Sequence, residues 1–247
     1  MKEFYIDSDG IKLHAKLEVP VKVEKCPLLI IVHGFTGHME EEHIVAIADT
    51  AVSIGFAALR VEMYGHGKSG GKFKKHTLLK WIGNILDVYE YARSLDFVTD
   101  IYLTGHSQGG LLTVIAGGLL GKRLKAILPL SPAVMIPEEA RKGIKLGKRS
   151  DPYNIPASIS LFDIVLDAAY LETAQLIHVE EMIDRYEGPV LVVHGTEDEA
   201  VPFRYGKQTA ESYKNGKLVS IKDANHGYEG HIKEMCEAVR QFLMGNR

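Results

Sequence analysis

The chain has 247 residues, with 29 Lys and Arg against 32 Asp and Glu for a formal charge of −3, and is 46% hydrophobic and 25% charged. These values exclude a disordered, collagen-like or tail-dominated chain. The slight acidic excess argues against a nucleic-acid partner, and the length suits one core or a core with a smaller insertion.

In chain order, Phe4-Tyr5-Ile6 and Leu13 to Leu17, separated by Asp9-Gly10, predict an antiparallel hairpin at a sheet edge. Pro27 to Val32 is a continuous apolar run, as expected of a strand buried on both faces. Further strands are predicted at Phe56–Val61, Asp100–Thr104, Ala126–Leu130, Val190–His194 and Lys217–Ile221, although Pro129 is unusual inside a strand. Helical patterns fall between them at Glu40–Gly55, Leu78–Ser94 and Gln108–Leu120, with a last one at His231–Met244. Strands alternating with helices imply βαβ units, hence an α/β fold with a mainly parallel twisted sheet and helices on both faces.

Residues 134–188 break this rhythm. A crossover needs far fewer residues. The segment carries Pro137, Pro152 and Pro156, a basic stretch (Arg141, Lys142, Lys145, Lys148, Arg149), and a helix-like run near Leu161–Leu176. We read it as an inserted cap, with 1–133 and 189–247 forming the core. The basic stretch is expected to be a solvated face.

The start of the chain lacks the apolar stretch of a signal peptide, and no run approaches the ~18 apolar residues of a membrane span. A soluble cytoplasmic protein with no membrane partner is expected. Cys26 and Cys236 lie at opposite ends of the chain and are expected to be buried thiols rather than a disulfide.

Gly105-His106-Ser107-Gln108-Gly109 is a G-x-S-x-G motif between a predicted strand and a predicted helix. That context pushes the Ser107 hydroxyl out of a sharp turn, and the Gln108 backbone N–H then points toward the reacting oxygen at the helix start. A serine hydroxyl is a weak nucleophile until a base takes its proton, so a histidine and an orienting carboxylate are required.

On these residues the chain resembles the α/β-hydrolases, whose triad runs in the order Ser, acid, His. Gly195-Thr196-Glu197-Asp198-Glu199-Ala200-Val201-Pro202 is similar to the family's "G-x-x-D-x-x-V-P" acid loop, which puts Asp198 in the acid slot. Glu197 and Glu199 beside it are expected to be solvated. His226-Gly227 matches the histidine loop, so the resemblance makes His226 the base. His33-Gly34-Phe35-Thr36-Gly37 resembles the "H-G-x-x-G" loop, which implies that the Phe35 backbone N–H joins that of Gln108 in an oxyanion hole. The Phe35 ring either lines the acyl site or packs in the core. Arg60 to Ser69 resembles the "D-x-x-G-x-G-x-S" loop with Glu62 in place of Asp, and a structural role is expected. The other histidines have no metal-ligand spacing, so neither a metal nor a cofactor is expected.

Ser107 at the elbow argues against the sister chemistries that use Asp or Cys there. Leu28–His38, Thr104–Gly110 and the insertion together resemble the feruloyl (cinnamoyl) esterases of gut and rumen bacteria. That resemblance implies a serine esterase acting on small-molecule esters with an aromatic acyl group on a plant cell-wall sugar. It also implies cap residues that hold the phenolic ring. Tyr170 is the first choice and Glu139 the second, the alternative for Tyr170 being plain packing of the cap. The rival activities are a monoacylglycerol lipase, an acylated-peptide hydrolase or a short-chain carboxylesterase. A silent hydrolase-like binding module would normally have lost a triad member. A cap can join two copies as readily as it can cover a site, so a homodimer stays open.

Overall fold

The computed structural model describes residues 1–21, 23–145, 148–161 and 164–247. Its first strands, β1 (Lys2–Ser8) and β2 (Ile11–Glu18), form the expected antiparallel hairpin, and β2 pairs antiparallel with β4 (Ala57–Val61). Then follow β3 (Cys26–Val32), α1 (Glu42–Ser53), β4 (Ala57–Val61), α2 (Leu78–Arg93), β5 (Val98–His106), α3 (Gln108–Leu120) and β6 (Ala126–Leu130). After the intervening segment the core resumes with β11 (Val190–Gly195), α7 (Phe203–Ser212), β12 (Gly216–Ile221) and α8 (Ile232–Gly245). One eight-stranded sheet runs β1-β2-β4-β3-β5-β6-β11-β12, parallel from β4 to β12.

The apolar pattern explains the layers. Every residue of β3 is buried. Leu28, Ile30 and Val32 face one side, with α2 and α3, while Leu29 and Ile31 face the other, with α1 and α8. Helix α3 is apolar nearly all round and is covered accordingly. Pro129 is accommodated one residue from the end of β6. Strand β5 runs past its predicted end at Thr104, so that Gly105 and His106 finish the strand and Ser107 alone makes the turn. A Cβ on Gly109 would fall 2.6 Å from the carbonyls of Val32 and His33, so glycine lets α3 seat against the end of β3.

Residues 134–188 hold α4 (Ile136–Arg141), two small hairpins and two short helices. The hairpins are β7 (Ile144–Lys145) with β8 (Lys148–Arg149), and β9 (Ser158–Leu161) with β10 (Ile164–Asp167). The helices are α5 (Ala169–Ala174) and α6 (Val179–Asp184). The helix expected over Leu161–Leu176 is corrected. Its first part is the strand β10, and only Ala169–Ala174 is helical, because Ile164-Val165-Leu166 has β-branched residues and no helical period. Phe162 and Asp163 of that stretch, and the side chains of Lys145 and Lys148 in the basic stretch, lie outside the described residues. Helix α6 packs on α3 and makes the crossover that the parallel pair β6 and β11 requires.

Both thiols are free; Cys26 is buried as expected, but Cys236 is only half-buried. Among the described residues, no helix is long and apolar enough to cross a membrane.

Candidate active site

Ser107 sits between β5 and α3 with φ 57° and ψ −117°, a left-handed conformation that costs a non-glycine residue energy. Its backbone is fastened on both sides. The N–H donates to the Leu130 carbonyl at 2.9 Å, and its carbonyl accepts from Ala133 at 3.1 Å and Leu111 at 3.0 Å. The hydroxyl is thus held at the carboxyl edge of the sheet, with the first amides of α3 beneath it.

Asp198 is fixed in the loop after β11. Its Oδ1 accepts from the backbone N–H groups of Ala200 (3.0 Å) and Val201 (2.7 Å). Its Oδ2 accepts from His226 Nδ1 at 2.8 Å and lies 3.1 Å from His194 Nε2. Burial pushes this carboxyl up, but the hydrogen bonds from His194 and His226 outweigh it and hold the group far below the usual carboxylate range. A charged Asp198 fixes the His226 tautomer with Nε2 toward the cavity. His226 is further held by its backbone. Its carbonyl accepts from His106 Nε2 at 2.8 Å, and its N–H donates to Glu199 Oε2 at 3.3 Å. Glu199 is exposed, as expected, and this bond also ties it to the histidine loop.

The loop after β3 is set by a buried histidine. His33 Nε2 accepts from the Met63 N–H at 3.0 Å, so its proton is on Nδ1, which donates to the Gly34 carbonyl at 2.7 Å. Burial lowers His33 to about 3, which keeps it neutral in this role. The peptide is trans, so holding the Gly34 carbonyl one way turns the Phe35 N–H the other way. Glu62 accepts from His14 Nδ1 (2.8 Å) and from the Lys68 N–H (2.7 Å), a structural part in the Arg60–Ser69 loop.

These pieces meet at one cavity of about 260 Å³. Ser107, His226, Phe35, Gln108, Tyr170 and Glu139 all line it, and Asp198 stands directly behind His226. The predicted residues are therefore brought together without exception. Tyr170 is fully buried, its hydroxyl donating to Gln108 Oε1 at 2.7 Å and its ring lying edge-on to Phe35 at 5.8 Å. Tyr170 thus both packs the insertion and lines the cavity. Met135, Ile136 and Ile144 add an apolar wall on that side. Sequence reasoning missed His194 and Glu41. A histidine four residues before the acid, at the end of a strand, was the available signal for His194; Glu41 carries no motif.

A family model described as "Serine aminopeptidase, S33" matches residues 24–156, and one described as "TAP-like protein" matches residues 169–246. Est1E from Butyrivibrio proteoclasticus, solved with ferulic acid bound, is 53% identical over 98% of both chains with a TM-score of 0.96. The chain belongs to the α/β-hydrolase family. A second structure of Est1E is 50% identical, covering 99% of this chain and 98% of the other, with a TM-score of 0.93. Human protein ABHD12B is 25% identical over 88% of this chain. The human mitochondrial palmitoyl-protein thioesterase ABHD10 is 23% identical over 76% of it. This α/β-hydrolase spans 60% to 62% of the length of those two curated relatives. Among its described residues, no group of His, Cys, Asp or Glu could hold a metal ion.

Proposed function

We propose that this protein is a serine esterase that cleaves hydroxycinnamate esters of the feruloyl type, releasing the phenolic acid from an alcohol such as a plant cell-wall sugar. The observation that carries this is the 53% identity, over 98% of both chains, to Est1E holding ferulic acid. The cavity agrees with it. An aromatic and apolar wall from the inserted segment suits a flat acyl group, and Tyr170 and Glu139 supply polar atoms for the phenolic end. Residues 134–188 then act as a cap over the core, with α6 as its crossover helix.

In the mechanism, Ser107 Oγ attacks the ester carbonyl as His226 takes its proton. The backbone N–H groups of Phe35 and Gln108 hold the oxyanion, and Asp198 stabilises the imidazolium. His226 returns the proton to the leaving alcohol, which departs and leaves the acyl-serine. Water, deprotonated by His226, then releases the acid and restores the hydroxyl.

The test is a panel of methyl ferulate, caffeate and p-coumarate beside alkanoate esters of rising chain length. The aromatic esters are expected to show the highest kcat/KM, whereas preference for long alkyl chains would make the protein a lipase. Ser107→Ala is expected to lower kcat by about four to six orders of magnitude with the fold intact. Wild-type turnover in that variant would overturn the mechanism.

A further inference from the structure

When Ser107 attacks an ester, the tetrahedral carbon carries three other substituents, and each must face a different wall. The oxyanion faces the amides of Phe35 and Gln108. The rest of the acyl group takes the direction of the apolar wall formed by Met135, Ile136 and Tyr170. The leaving oxygen faces His226, because that ring must hand it a proton. The space beyond His226 therefore belongs to the alcohol.

The start of α1 borders that space. The ring of His43, in the first turn of α1, lies 4.4 Å from the ring of His106, which lies 4.6 Å from the ring of His226. Here Thr36 and Glu41 line the cavity. Glu41 is partly buried, and its Oε2 accepts from the His38 N–H at 3.2 Å. Its side chain has no other hydrogen bond and no ion pair among the described residues. Burial raises its pKa, against the pull of the His38 N–H and of His226. A carboxylate partly stripped of water, with lone pairs open to a cavity, gains most from hydroxyl donors. A methyl or alkyl alcohol offers it none.

We infer that Glu41, with the Thr36 hydroxyl at the rim, forms a subsite for the leaving alcohol and selects polyols, such as a pentose with free hydroxyls beside the ester. This rests on the serine-esterase reading above. It adds the alcohol half of the substrate to an acyl half held by the cap, and it disfavours anionic alcohols through like charge.

The test compares two esters with the same acyl group, methyl ferulate and a feruloylated pentose, on the full chain. The quantity read is the ratio of their kcat/KM values, with Tm measured for every variant. The wild type is expected to prefer the sugar ester. Glu41→Ala is expected to lower the ratio about tenfold, mostly through KM, as for loss of a hydrogen bond to a charged group. Glu41→Gln, which keeps an acceptor, should retain part of the preference. Thr36→Val, at an exposed position, should lower the ratio more modestly and serves if Glu41→Ala is unstable.

A ratio unchanged by the substitutions overturns the inference, whether both activities fall together or neither does. A wild type that prefers methyl ferulate overturns it too. Those results leave the esterase reading standing. A wild type that cleaves neither ester defeats that reading and the inference with it.

Discussion

Asp198 accepts four hydrogen bonds, and two of the donors are imidazoles. His226 is the partner that the proposed mechanism uses. His194 is the one that keeps the carboxylate where His226 needs it, since its Nε2 also lies 2.8 Å from the Val201 carbonyl and ties the acid to its own loop. Its other nitrogen is buried without a partner among the described residues, so one N–H serves both oxygens. His194→Leu should lower kcat/KM for methyl ferulate about ten- to a hundredfold, the worth of a hydrogen bond to a charged group. It removes one of the two side-chain donors that hold Asp198 ionised, so the carboxyl pKa should rise. The loss should fall on kcat rather than on KM, because Asp198 touches His226 and not the bound ester. A kcat equal to wild type would restrict His194 to packing.

At the level of elements, one of the bonds that latch the insertion to the core runs from Tyr170 on α5 to Gln108 on α3. Gln108 is fully buried, and its Nε2 already lacks a partner among the described residues. Tyr170→Phe leaves the Gln108 oxygen without the donor that α5 supplies. A cost of about 1–3 kcal/mol is expected, or about 2–4 °C in Tm for each kcal/mol in a chain of this size. The KM for hydroxycinnamate esters should rise with it. A thermal scan and a substrate titration check both. The same elements show what a reader of sequence can see. Strands such as β3 are legible because burial on both faces writes an unbroken apolar run. The elbow and the acid and histidine loops are legible because tight turns restrict residue type. Helix α7 went unpredicted, since only Gly206, Thr209 and Ala210 are buried and none of them is a large apolar residue. Strand β10 falls inside the helix expected over Leu161–Leu176 because a four-residue strand is too short to show a period. The alcohol side of the cavity was invisible because Glu41 acquires its surroundings only when α1 meets the histidine loop.

Across the whole molecule, several histidines are buried as neutral groups. Burial lowers His33 to about 3 and His43 to about 4, and it holds His106 well below its ordinary value. Each would be protonated near pH 6.5 if the chain unfolded. Their contribution to stability is therefore complete above pH 6.5 and is lost as pH falls from there toward the folded values. Glu41, whose pKa is raised, takes up a proton early in the folded state and offsets part of this. Near pH 5, unfolding should take up about two to three protons from these groups. A Tm that falls steadily from pH 7 to pH 5 is expected. His43→Leu should flatten the slope by about one proton, because His43 Nε2 has no hydrogen-bond partner among the described residues to lose. A Tm independent of pH across that range would contradict the assignment.

The order of strands has a consequence for biosynthesis. From β5 onward, each core strand joins a strand already laid down: β5 beside β3, then β6, β11 and β12 in turn. A ribosome delivers them in the order in which this part of the sheet grows, so none of these strands must wait for a partner not yet made. Ser107 and the Phe35 loop are in place early in translation, and Asp198 follows with β11. His226 arrives after β12 and just ahead of α8. A nascent chain can therefore complete most of its core while still lacking a base. Hydrolytic activity should switch on in a single late step, and arrested chains that end before His226 should be folded over most of their length yet unreactive toward a fluorophosphonate.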